Sequence, residues 1–221
     1  MRIKVNFLEN IIELEENKIC SLQVENKKYF YRIVYELYKI ANGRISDELD
    51  IEDLENNKMC INIILNYFDF ESCIRKYQNE IIKYISLNAS ETERDNINKK
   101  YNIFSNEVLK LINEYNLPLN INDELTFQNI LKNVKLSINN KENILENLFT
   151  IIDLESKLKI NKMLIFVSLK QYLTEEELTE LYKYCIYNKV MIFMIDNQLY
   201  KSKNEYEKII AVDDNLNEFM L

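Results

Sequence analysis

The chain has 221 residues, 47% apolar and 29% charged, with a formal net charge of −8, a composition of globular proteins rather than of disordered, fibrous or membrane-spanning ones. It contains no histidine, which excludes Ser-His-Asp and Cys-His catalysis and most transition-metal sites. Its single glycine, Gly43, leaves no material for a phosphate-cradling loop or a dinucleotide fingerprint.

Residues 3–8 and 11–14 alternate like two short strands, and residues 18–24 are a third candidate. No apolar leader precedes them, so a cytoplasmic protein is expected. Asn26 reads as a helix cap. From Lys27 to Ala41 the apolar Phe30, Ile33, Val34, Leu37, Tyr38 and Ala41 recur at helical spacing, and Gly43 follows as a stop. Residues 47–57 are acidic and read as irregular, whereas residues 59–65 form a short apolar run suited to a buried strand. Asp69 or Ser72 caps the next helix. A long helical pattern then fills residues 73–117, broken near residues 86–90, where Ser90-Glu91-Thr92-Glu93 has the form of a helix start. Pro118 ends this hairpin, and a further helix from Asp123 or Glu124 to Asn133 leads to a strand-like stretch, residues 134–138.

After this helical arm the chain alternates cleanly: helix 142–158, strand 162–167, helix Glu175–Tyr187, strand 190–195 and strand 209–212. Alternating strands and helices predict an α/β fold with a mostly parallel sheet under helical cover. The expected division is an α/β head from residues 1–68 and 134–221 and a helical leg from residues 69–133. The four cysteines, Cys20, Cys60, Cys73 and Cys185, form no CxxC pair and read as buried, reduced thiols.

Ligands of parallel sheets bind outside the carboxyl ends of the strands. Here the apolar run Met163–Val167 finishes in Ser168, where a nucleotide-hydrolysing fold would place a magnesium-holding Asp. Carboxylates do follow other strands: Asp196, and the pair Asp213 and Asp214. They are candidate metal ligands for a nuclease, or acids that end strands and cap turns. Asn116, Asn120, Asn122, Asp123 and Glu124 form an oxygen-rich stretch that could serve a hard cation or a loop and helix cap. Lys132, Lys135, Lys157, Lys159, Lys162 and Lys170 form a basic zone. It is either a solvated face or the segregated basic surface that an acidic protein needs to meet phosphates. Lys99 and Lys100 in the arm have the same two readings. The tyrosines at 29, 31, 35, 38, 182, 184 and 187 lie in amphipathic helices and read as core and interface residues.

Several ordered motifs are similar to those of the Csn-two family of type II-A CRISPR systems. Lys162-Met163-Leu164-Ile165-Phe166-Val167 resembles the family's KKLLIFV, and Tyr172-Leu173-Thr174-Glu175-Glu176-Glu177-Leu178 its YLTEEEV. Met191-Ile192-Phe193-Met194-Ile195, Leu199-Tyr200 and Ala211-Val212-Asp213-Asp214 stand where the family has LFLEP, LYD and LDED. Near the start, Val5-Asn6-Phe7-Leu8 resembles NFSLL, and Ile33-Val34-Tyr35-Glu36-Leu37-Tyr38 resembles IVQYLYQY.

The resemblance implies a tetrameric ring whose head is like a P-loop ATPase stripped of its nucleotide motifs. It implies a non-catalytic protein that threads double-stranded DNA ends through a lysine-lined hole during spacer acquisition, alongside the integrase and the effector nuclease. Lys132 aligns with a family lysine, and Lys162 with the last lysine of a KKK run. With these, Lys135, Lys157 and Lys159 complete the candidate DNA-binding set. The family's acid-rich, calcium-holding leg segment corresponds to Asn120, Asn122, Asp123 and Glu124, where amides replace several carboxylates, so calcium binding weaker than the family's is expected. The rival expectations are a protein-interaction scaffold without DNA contact and a divalent-ion nuclease.

Overall fold

A computed structural model describes residues 1–15, 17–52, 61–119, 126–134, 136–200 and 204–220. The chain divides into two compact units, one of Met1–Cys73 with Asn140–Leu221, the other of Ile74–Asn139.

The first unit is α/β. A small antiparallel sheet in the order β2-β1-β4 is built from β1 (Arg2–Val5), β2 (Ile12–Glu13) and β4 (Leu49–Glu52). The last is a correction, since this acidic stretch reads as irregular from sequence. Leu49 and Ile51 point inward while Asp50 and Glu52 face solvent, so a four-residue alternation suffices for an edge strand.

The larger sheet has the order β5-β6-β7-β3-β8-β9. Its strands are β3 (Ile19–Val24), β5 (Ile61–Ile64), β6 (Met163–Val167), β7 (Ile192–Asp196), β8 (Glu207–Val212) and β9 (Glu218–Met220). The first five run parallel, and β9, which sequence reasoning missed, pairs antiparallel with β8 at the edge. β3, β6 and β7 are buried at every residue, which is why they read as continuous apolar runs rather than alternations.

One face of this sheet, carrying Leu22, Val24, Ile165, Phe193, Ile195 and Val212, packs with Ile3, Val5 and Ile51 of the small sheet and with Ile33 and Leu37 of α1 (Lys27–Ala41). The Asn26 side chain caps α1, accepting from the N–H groups of Lys28 and Tyr29. Two residues, Glu25 and Asn26, join β3 to α1, so the position where a phosphate loop would lie holds an ordinary helix cap. The opposite face carries α6 (Ile144–Leu158) and α7 (Glu175–Tyr187), the latter opened by a full capping box between Thr174 and Glu177. Cys20 and Cys185 are buried and Cys73 is half-buried, all as free thiols; Cys60 lies outside the described residues.

The second unit is helical where it is described. α2 (Phe70–Arg75) leads into it, its start capped by Asp69, which accepts from the Ser72 N–H. α3 (Gln78–Asn88) and α4 (Glu91–Glu114) are joined by a short turn, with Ser90 and Glu93 in a capping box, and the main neighbour of each is the helix that follows them both rather than the other, so the close-packed hairpin expected from sequence is not what forms. α5 (Phe127–Asn133) begins later than expected, because Thr126 is already extended and caps the helix with its hydroxyl. Residues 134 and 136–138 form no strand: their alternation supplies only one half-buried face, and no strand among the described residues pairs with it. Along α4, Ile97, Tyr101, Phe104, Val108 and Leu111, with the cap residue Tyr115, are spaced alternately four and three apart. Phe104, Leu111 and Tyr115 on this seam are 64%, 53% and 74% exposed. Among the described residues no helix is long and apolar enough to cross a membrane.

Candidate nucleic-acid interface

Two helix-to-strand turns stand side by side at the amino edge of β6 and β7. Helix α6 ends at Leu158, and Lys159 follows in the left-handed conformation (φ 50°), its N–H donating to the Glu155 carbonyl at 2.8 Å. Helix α7 ends at Tyr187, and Lys189 takes the same conformation (φ 54°) after the cap residue Asn188. A left-handed residue after a helix is usually glycine, because a Cβ there is strained by about 1 kcal/mol. A chain with a single glycine, spent on the end of α1, places lysines there instead.

The two turns are fastened to each other and to the helix body. The Ser156 hydroxyl donates to the Asn188 carbonyl at 3.2 Å. The buried Glu155 carboxylate accepts from the Asn161 backbone N–H at 3.1 Å and from the Asn161 side-chain amide. Between the turns lies an open pocket of about 370 Å³ lined by Glu155, Ser156, Lys159, Asn161, Lys162, Asn188, Lys189 and the starts of β6 and β7. A second depression of about 300 Å³, lined by Met1, Lys162, Lys189 and Met191, adjoins it.

Lys157, Lys159, Lys162 and Lys189 are all exposed. Part of their local effect is absorbed by the carbonyl ends of α6 and α7, whose dipoles place partial negative charge at this edge. Four cations exceed that partial charge and the single negative charge of Glu155, the one carboxylate lining the pocket, taken together. The edge therefore presents a net basic, solvent-facing surface on an acidic chain.

Of the lysines expected to bind DNA, Lys159 and Lys162 line this pocket, and Lys157 is exposed in the last turn of α6 that leads to it. Lys132 is exposed in the last turn of α5, in the other unit, and Lys135 lies outside the described residues. Lys170 is a correction. Its ammonium is buried 2.6 Å from the Glu207 carboxylate, both side chains being at most 4% exposed, so it does not belong to a solvent-facing basic zone. Lys189 was missed. The signal for it was the repeat of one pattern, an amphipathic helix, a non-glycine stop and a buried strand, in the two successive units that also contain Lys159.

The carboxylates do not assemble into a metal site. Asp196 is wholly buried, whereas Asp213 is half-buried and holds the β8–β9 turn by accepting from the Asn215 and Asn217 N–H groups and the Asn217 amide. Those hydrogen bonds from Asn217 hold its carboxyl below the usual range. Among the described residues no group of three acids or thiols is placed to hold a metal. Asn120, Asn122, Asp123 and Glu124 lie outside the described residues. Of the tyrosines expected to be core and interface residues, Tyr182 is core, whereas Tyr31, Tyr35, Tyr38 and Tyr187 are 64%, 46%, 45% and 85% exposed and so are not core.

No protein of curated function matches the chain. Among solved structures it is similar to Stu0660 of Streptococcus thermophilus, at a TM-score of 0.60 and 14% identity, over 100% of this chain and 76% of that one. Such an identity speaks to the fold alone. The profile of the CRISPR-associated protein family Cas_Csn2 matches residues 38–214, from the last turn of α1 to the end of β8. By that match, which spans most of its length, the chain belongs to the Cas_Csn2 family of CRISPR-associated proteins.

Proposed function

We propose that this CRISPR-associated protein is a non-catalytic subunit of a ring of identical chains that binds the ends of double-stranded DNA without reading sequence, in support of spacer acquisition. The observation that carries the proposal is the convergence of Lys159, Lys162 and Lys189 on one open pocket at an exposed edge of the head, with Lys157 exposed in the last turn of α6 that leads to it. Lysines act on phosphates as point charges and release counterions when they bind, so they give affinity without sequence preference. Segregation of these charges is what lets a chain of net charge −8 approach DNA at all.

Self-association is supported by the seam on α4. Apolar residues spaced alternately four and three apart match the pattern by which two helices pack side by side, and the described residues leave Phe104, Leu111 and Tyr115 more than half exposed. Cytoplasmic function beside the integrase and the effector nuclease belongs to the same proposal. Calcium enters it weakly. Asn120, Asn122, Asp123 and Glu124 offer hard oxygen donors of the right kind, but only two are carboxylates, and calcium affinity follows ligand charge.

The test is a gel shift of linear duplex at low salt, with and without calcium, against the quadruple variant Lys157→Glu, Lys159→Glu, Lys162→Glu and Lys189→Glu. Binding by the wild type, lost in a variant that still assembles, is the expected result. A wild type that assembles yet leaves linear DNA unshifted would favour the scaffold reading, and cleavage with magnesium or manganese the nuclease reading.

A further inference from the structure

The covered face of the parallel sheet holds a buried polar cluster that the DNA-binding reading does not use. Register places Gln23 of β3 beside Asp196 of β7, and Ser21 lies two residues back on the same face. Glu207, opposite Ile19, begins the same face on β8. Gln23, Asp196 and Ser21 are wholly buried. Lys170, from the turn after β6, pairs with Glu207 at 2.6 Å, and the Tyr182 hydroxyl of α7 donates to the same carboxylate oxygen at 3.2 Å.

This cluster is not saturated. Neither carboxylate oxygen of Asp196, nor the Gln23 amide nitrogen, nor the Ser21 hydroxyl, completes a hydrogen bond of ordinary geometry. The segment that follows β7, residues 197–200, is nevertheless fastened to it. The Tyr200 N–H donates to the Gln23 side-chain oxygen at 2.8 Å, the Lys170 ammonium lies 5.3 Å from the centre of the Tyr200 ring, and the Gln171 amide donates to the Asn197 side chain at 3.3 Å.

Three ionisable groups therefore share one buried site with one positive charge between them. When Asp196 is neutral, Lys170 and Glu207 balance. When Asp196 ionises, two carboxylates compete for Lys170, and a buried charge with no hydrogen bond of ordinary geometry must draw in water or the ammonium. Either response acts on Tyr200, because Lys170 lies over its ring and Gln23 holds its N–H.

We propose that residues 197–200 form a proton-controlled strap over the carboxyl end of the parallel sheet, closed while Asp196 is neutral and loosened when it ionises. The groups that face Asp196 are Lys170 from the turn after β6, Glu207 from β8, Tyr67 after β5, Tyr182 from α7 and Tyr200 from the strap itself. Burial is the main influence on Asp196, pushing its carboxyl up to about 7; Lys170 opposes this, through its charge and its backbone N–H, and Glu207 reinforces it. The strap is thus placed to respond near neutrality rather than in acid.

Hydrogen exchange of the Tyr200 amide in the full chain, corrected for the intrinsic pH dependence of exchange, tests this. Protection in the wild type should fall about tenfold between pH ~6 and pH ~8, and Asp196→Asn should hold it constant within about twofold. Wild-type protection that is flat across this window, or the same fall in the variant, overturns the proposal. Should the variant not fold, the carbon-13 shift of the wild-type Asp196 carboxyl decides: a midpoint near neutrality supports the strap, and a midpoint below pH ~5 overturns it.

Discussion

Lys159 and Lys189 occupy the same position in two adjacent turns, each left-handed at φ 50° and 54°, each ending a helix of the α6–α7 layer, and each lining the pocket at the amino edge of the sheet. The coincidence of backbone strain with exposed positive charge means that one side chain has two separable effects. For stability it is inferior to glycine. For phosphate binding it supplies the charge.

Replacing either lysine by glycine is therefore expected to raise stability while weakening DNA binding. Lys159→Gly and Lys189→Gly should each gain about 0.5–1 kcal/mol in urea unfolding. Each should also lower the slope of log affinity against log salt by about 1 if the lysine meets a phosphate. A gain in stability with unchanged DNA affinity would assign the lysine to helix-end electrostatics alone.

The Lys170–Glu207 pair is expected to matter only as a pair. Lys170→Met leaves a buried carboxylate with only the Tyr182 hydroxyl and should cost about 3–5 kcal/mol by chemical denaturation. Adding Glu207→Gln removes the stranded charge, and most of the loss should return. Because neither residue is on the basic edge, DNA affinity per folded molecule should not change in the double variant.

Asp196 sets a pH dependence whose sign is fixed by the direction of its shift. Its carboxyl moves up from 3.8 to about 7 on folding, so the folded state holds the proton more tightly than the unfolded chain. The stabilisation is complete below pH ~4 and is lost as pH rises through about 7, a change on the order of 2–4 kcal/mol. Wild-type stability should therefore decline between pH ~5 and pH ~8 relative to Asp196→Asn, measured as midpoint denaturant concentration. Parallel curves would contradict the assignment.

Much of the head was legible because its strands are buried on both faces and its helices are amphipathic. Met163–Val167 reads as a strand from its composition alone, and Thr174 with Glu177 marks the start of α7 to the residue. What escaped were features decided by tertiary neighbours. β4 is four residues long and exists because β1 offers a partner, while residues 134 and 136–138 belong to a strand-like alternation that finds no partner among the described residues. Lys170 looks like its fellow lysines in sequence, and only the fold brings Glu207, 37 positions away, within 2.6 Å of it. Lys189 was hidden for the opposite reason, since a lone lysine between an asparagine and a valine carries no signal by itself, and only the repeat of helix, non-glycine stop and strand in two successive units sets it beside Lys159.

Calcium titration by calorimetry addresses the stretch containing Asn120, Asn122, Asp123 and Glu124. With two carboxylates among these four residues, binding should be weak, in the range of about 10⁻⁴–10⁻³ M. Asp123→Asn together with Glu124→Gln should abolish it. Tight saturation at several sites per chain would require ligands beyond these four.

The central claim is most directly tested by fluorescence anisotropy of a labelled linear duplex titrated with the full chain across a salt series, with an unlabelled covalently closed circle as competitor. The account predicts that affinity falls steeply and linearly in log salt, is indifferent to base order, is poorly competed by the circle, and is lost when Lys157, Lys159, Lys162 and Lys189 are reversed to Glu. Absence of binding to the linear duplex at low salt, or binding unchanged by the four reversals, would contradict it.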